Sequence, residues 1–237
     1  MKKLLVFVLL ACTGAAFGQK ELVVDANASV RPVPGKFSAV KVSGGIDLYL
    51  SQSDEEAMAV SASEERFKDN IRTVVEGNTL RIYYEGDKNW NSGRKKLKVY
   101  LSFKTISVLE ASGASDVLAT GVLKMPSLTL NLSGASDFKG NVEVDSLQME
   151  LSGASDVRIS GTATLVTIES SGASDVKGYD LKTDFCNAKA SGASDINITV
   201  NKQLSAHASG ASDIYYKGDA LIRDFHSSGA STVARRN

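Results

Sequence analysis

The chain is short of cysteine, proline and aromatic residues and carries no net charge, and each shortage removes a class of protein. Two cysteines in 237 residues cannot make a disulfide framework or a four-thiolate zinc site. Twenty-seven basic residues balance twenty-seven acidic ones, so there is no electrostatic footprint for nucleic acid or an anionic membrane surface. With three prolines, no Pro-rich linker divides the chain. Beyond the first residues no run reaches the about eighteen apolar residues of a membrane-spanning helix. What remains is a 43% apolar chain with twenty glycines, enough to build a core.

Residues 1–19, MKKLLVFVLLACTGAAFGQ, have the form of a secretory signal peptide: Lys2 and Lys3, an apolar run from Leu4 to Ala11, then small residues. Cleavage after Gly18 fits Ala16-Phe17-Gly18. Leu9-Leu10-Ala11-Cys12 is a competing lipoprotein box that would make Cys12 the acylated N-terminus. With plain cleavage Cys186 is the one remaining cysteine, and the loss of Lys2 and Lys3 leaves 25 basic against 27 acidic residues, a net of −2.

The dominant feature is internal repetition. Ser-Gly-Ala-Ser occurs seven times, with its glycine at 113, 134, 153, 172, 192, 210 and 229. The spacings are 21, 19, 19, 20, 18 and 19 residues. An aspartate follows in six copies, Asp116, Asp137, Asp156, Asp175, Asp195 and Asp213, and Thr232 takes its place in the seventh. The next residue is always apolar. Before the blocks, apolar and polar residues alternate, as in Leu128-Thr129-Leu130-Asn131-Leu132, the period of a strand with one buried face. Second glycines at 121, 140, 161, 178 and 218 mark a looser corner, where the variation in repeat length is expected.

A unit of this size cannot bury its own apolar stripe, so neighbours must stack. Parallel stacking puts equivalent residues about 4.8 Å apart, giving an all-β solenoid with one unit of about 19–20 residues per coil. Its narrow coils leave little room for rings, which accounts for the scarcity of aromatics. A propeller blade would be twice as long, and leucine-rich, hexapeptide and calcium-binding nonapeptide repeats have other spacings. Residues 30–110 are less regular. There, Phe67, Ile71 and Val74/Val75 have helical spacing, which predicts a short amphipathic helix over Glu64–Val75 capping the first coil. Residues 20–237 are read as one domain, with irregular coils over 30–110 and the SGASD repeats over 111–233.

FSAVKVSGGIDLYLSQ, AVSASEE, NTLRIYYEG and KLKVYLSFKTISVLEASGASDV, followed by the repeated SGASD, resemble the bacterial "putative auto-transporter adhesin, head GIN domain" family. The likeness covers about residues 30–233, with Gly45-Ile46-Asp47 standing where that family carries Gly-Ile-Asn. It implies a single-stranded, right-handed parallel β-helix and an exported, adhesin-like role, with no catalytic residues to carry over. The alternating strands and aromatic girdles of a translocator barrel are missing, so a complete autotransporter is not expected.

Several residues invite a chemical role. Six stacked aspartates repel by roughly 1 to 3 kcal/mol per neighbouring pair at effective dielectric constants between about 80 and 20, which calcium could offset. Alternatively each Asp caps its own turn by accepting backbone N–H or hydroxyl hydrogen bonds, and this structural role is preferred. The alanines are expected to face inward and keep the corner shallow, and the serines to form hydroxyl ladders. No serine is unique enough to be a nucleophile. His207 and His226 share a column with Lys189, Glu169, Glu150, Asn131 and Glu110, three residues before each corner glycine. That column should face outward, and two histidines without a third ligand make a weak metal site. Cys186 falls in the inward register with Ala188 and Ala190. Trp90, in Lys88-Asn89-Trp90-Asn91, could stack on a sugar ring or fold back over the first coils.

The expected function is a non-enzymatic, exported binding or adhesin-like module needing no cofactor, located in the periplasm, at the outer-membrane surface or outside the cell. A surface glycan or an envelope protein is the expected partner, and nucleic acid is not. The competing readings are a polysaccharide-active β-helix enzyme, which would need a unique carboxylate cluster, and a structural envelope protein.

Overall fold

A computed structural model describes residues 25–86 and 95–236 of the protein. These residues form one sixteen-stranded sheet wound into a parallel β-solenoid of about seven turns. The signal-peptide reading, Cys12 and Trp90 lie outside the described residues.

The repeats supply one long bent strand per coil: β9 (Val117–Leu132), β10 (Phe138–Leu151), β11 (Asp156–Ser170), β12 (Asp175–Ala190) and β13 (Asp195–Gly210), all parallel. Three shorter strands follow: β14 (Asp213–Lys217) and β15 (Leu221–Gly229) on β13, and β16 (Thr232–Arg235) on β14. Equivalent residues stack in register, so the apolar position after each Asp becomes the buried ladder Val117, Phe138, Val157, Val176, Ile196 and Ile214. A second ladder runs Leu130, Met149, Ile168, Ala188 and Ala206, so this ladder shifts from long side chains to methyl groups along the axis. Cys186 takes its place in the buried ladder between Val166 and Leu204. Register shifts fall between Lys139 and Asn141, Arg158 and Ser160, and Gly178 and Lys182. These are the looser corners, where an extra residue can bulge without moving a core ladder.

The first coil is built from β2 (Ala39–Ser43) and β3 (Ile46–Gln52), which lie under β8 (Val108–Ser112) and β9. Between them the chain leaves the solenoid and forms its cap. β6 (Thr79–Tyr84) and β7 (Leu97–Phe103) extend the two faces in parallel on β2 and β3. β5 (Ile71–Glu76) then pairs antiparallel with β6, and β4 (Ala57–Ser61) with β7, followed by β1 (Ser29–Arg31) on β4.

The expected helix over Glu64–Val75 is therefore mostly strand: α1 spans only Glu65–Lys68 and β5 begins at Ile71. Ile71, Thr73, Val74 and Val75 are β-branched, which favours a pleated surface over a helix. Gly77, at φ 63°, allows the tight reversal into β6, whose backbone partners a lone helical turn lacks. The helical turn is anchored by the buried Lys68, whose Nζ donates to Ser29 Oγ at 2.7 Å and pairs with Glu65 at 2.7 Å.

Candidate functional site

Two side-chain columns flank the Ser-Gly-Ala corner, and backbone geometry builds both. Each corner glycine has φ between 66° and 80°, the left-handed region in which glycine is unstrained. The glycines stack so closely that a Cβ on Gly153 would stand 2.4 Å from the Gly134 carbonyl oxygen. Gly44 lies under Gly113 in the same stack, although 69 residues separate them in sequence.

The second serine of each block, not the alanine, points inward. Ser115, Ser136, Ser155, Ser174, Ser194 and Ser212 are fully buried, whereas the alanines at 114, 135, 154, 173, 193 and 211 are exposed. A buried amide needs an acceptor, and a hydroxyl from the neighbouring coil supplies it. Ser115 N donates to Ser136 Oγ, and Ser155 N to Ser174 Oγ, at 3.2 Å each. In a later coil the Ser212 hydroxyl accepts from Ser209 N at 3.2 Å and donates to Ala190 O at 3.0 Å. The expected inward alanine is thus corrected, because a methyl group would leave these amides unsatisfied.

The aspartates also bond between coils. Asp137 N donates to Asp116 Oδ1 at 3.3 Å, Asp156 N to Asp137 Oδ1 at 3.2 Å, and Thr232 N to Asp213 Oδ1 at 3.0 Å. Asp116, Asp137 and Asp213 thus accept from the following coil, because parallel stacking aims the next backbone N–H at the carboxylate, and Asp213 also accepts locally from the Tyr215 hydroxyl at 2.9 Å. Asp47, three residues after Gly44, extends the ladder below Asp116 through the β3–β9 pairing. Burial, then repulsion from neighbouring aspartates, holds the carboxyls of Asp47, Asp116 and Asp195 above the usual range. Lys177 inserts a cation, 2.7 Å from Asp156 and 3.6 Å from Asp175, and its ammonium pKa is raised, chiefly by the hydrogen bond to Asp156.

On the other side of the corner lies a groove of about 710 Å³. The first serine of the blocks, including Ser112, Ser133, Ser152, Ser171, Ser191 and Ser209, forms one wall. The column three residues before each glycine forms the other, running Lys41, Glu110, Asn131, Glu150, Glu169, Lys189, His207 and His226. Lys41 pairs with Glu110 at 2.6 Å and Lys189 with Glu169 at 2.9 Å. His207 Nε2 lies 2.8 Å from Asp224 Oδ2, and its ring centroid is 6.1 Å from that of His226. The hydrogen bond from His207 lowers the Asp224 pKa. The two histidines do meet, but among the described residues no three metal-capable His, Cys, Asp or Glu side chains converge. Lys41 and Asp47 are members of these columns that the repeat count overlooks. Their offsets of minus three and plus three from Gly44 are the offsets found at the later corners.

A capped parallel β-solenoid carrying a groove along its corner is the class of protein these features define. The chain belongs to the "Putative auto-transporter adhesin, head GIN domain" family, whose profile matches residues 36–220. Its fold resembles a crystal structure described as a putative adhesin from Bacteroides fragilis, with TM-score 0.79 and 21% identity over 88% of this chain and 97% of that one. A putative adhesin from Parabacteroides distasonis follows at TM-score 0.71 and 19% identity, covering 88% of this chain and 97% of that one. A "putative lipid binding protein" from the same species gives 0.67 at 21% identity, covering 89% and 97%. At such identities the likeness carries the fold. Among proteins with curated descriptions, none matches this chain in sequence.

Proposed function

We propose that the protein is an exported, non-enzymatic adhesin-like module that binds a surface glycan along the groove beside its Ser-Gly-Ala corner. The observation that carries this reading is the groove itself, which runs from Lys41 to His226 with polar side chains along both walls and Leu132, Leu151, Ala190 and Ala208 between them. Serine hydroxyls repeat along it at the coil spacing of about 4.8 Å, so a polyhydroxylated chain meets a hydroxyl oxygen at every step, that of Ser171 fixed by its donation to Leu151 O at 3.2 Å. Side chains of the opposite wall supply orientation, with the carboxylates of Glu150 and Glu169 midway and the Lys189 ammonium and the His207 and His226 imidazoles toward one end. Repetition itself argues against catalysis, which needs one distinguished cluster rather than a ladder of near-equivalents. Export rests on the leader reading of residues 1–19 and on the adhesin-like family.

Glycan-array binding of the purified protein, run beside a polysaccharide turnover screen, tests this reading. Binding that weakens at least tenfold in S152V/S171V, without turnover, is the expected result. Turnover abolished by E150Q or E169Q would establish the enzyme instead, and silence in both assays would leave a structural envelope role.

A further inference from the structure

We infer that the open edge of β15 pairs with β15 of a second copy of this chain, joining two solenoids tail to tail about a two-fold axis. The two ends of the described solenoid differ. One is covered by β1, β4, β5 and α1, while β15 pairs with β13 on one side and with no described strand on the other. In β13, Leu204 and Ala206 are buried. The residues that stack on them, Ile222 and Phe225, remain 39% and 53% exposed, and Leu221 is 63% exposed. An apolar edge with unpaired backbone groups is a template for another strand, and a two-fold axis makes that pairing antiparallel and self-complementary.

The sequence of β15 suits its own copy in one register. A register shift against β13 leaves Arg223 as an extra residue between Ile222 and Asp224, so Ile222 and Phe225 both face the core although three positions apart. With the axis between Arg223 and Asp224, each bulge faces its own copy. Ile222 then stands opposite Phe225 of the second copy, and both cores become continuous. Arg223 meets the second copy's Asp224, with opposite charges directly paired across strands. Arg223 has no ion-pair partner among the described residues, and Asp224, bonded to His207 and to the Phe225 backbone, has no Lys or Arg partner there. The charges and the apolar residues therefore select the same register.

Light scattering over a wide concentration range reads the assembly. The expected result is a dimer that falls to half its mass in F225D and in R223D, and returns in R223D/D224R, where the cross-axis pair is restored with reversed sign. Far-ultraviolet circular dichroism of F225D, unchanged from the parent, separates loss of pairing from loss of fold. A monomer at every concentration, whether or not it binds phosphatidylcholine vesicles, overturns the inference. So does a dimer whose mass is indifferent to these substitutions.

Discussion

The backbone N–H of Asp137 donates to Asp116 Oδ1 across the gap between two coils, at 3.3 Å. One carboxylate thus serves the next coil while repelling its carboxylate. Asp116→Asn retains the Oδ1 acceptor and removes the charge. Burial and Asp137 raise the Asp116 pKa above 3.8, and a group raised on folding contributes stability below its unfolded pKa and loses it as pH rises through its folded value. D116N should therefore melt at or above the parent temperature at pH 7, by the equivalent of up to about 1 kcal/mol at a water-like dielectric. The difference should vanish below about pH 3.8. A lower melting temperature at neutral pH would show that the charge is needed.

Two left-handed glycines separate conformational strain from collision. A methyl group on Gly121, at φ 74°, would have nothing within 4 Å, whereas one on Gly153, at φ 79°, would meet the Gly134 carbonyl oxygen at 2.4 Å. Gly121→Ala should cost about 1 to 2 kcal/mol, the price of the left-handed backbone alone. Gly153→Ala should cost at least twice that, read as the shift in urea midpoint. Equal losses would mean that the coils separate freely.

The inward serine and outward alanine give opposite expectations for adjacent residues. Ser174→Ala removes the acceptor of the buried Ser155 amide and should destabilise by about 1 to 3 kcal/mol. Ala173→Lys places a long side chain in solvent and should stay within about 0.5 kcal/mol. Melting curves of the two variants should therefore separate clearly, and a reversed order would return alanine to the interior.

Burial pushes the Cys186 thiol up to about 12, so little thiolate is present at neutral pH. Iodoacetamide should leave the Cys186 peptide unmodified in the folded protein and alkylate it in denaturant, as read by peptide mass mapping. Comparable labelling in both states would indicate that the coil around Leu204 and Val166 opens readily.

Much of the fold was legible because the solenoid turns sequence period into spatial register. The spacing of the corner glycines located the coils, alternation located the buried ladders around Leu130 and Met149, and the shared offset of His207 and His226 placed them in one outward column. The cap was less legible. Phe67, Ile71 and Val75 satisfy a helical period, yet a local period cannot report that β6 is available to pair with Ile71–Glu76.

The sequence alone determined the coil length, the inward apolar column and the outward charged column, because these follow from a period that every neighbouring coil repeats. Tertiary structure decided which residue of Ser-Gly-Ala-Ser turns inward, since that depends on the amide each hydroxyl meets in the adjacent coil. It also decided that Lys41 and Asp47 join columns beginning again 69 residues later. Only the stacking of Gly113 on Gly44, with the intervening chain folded away as a cap, makes those positions neighbours.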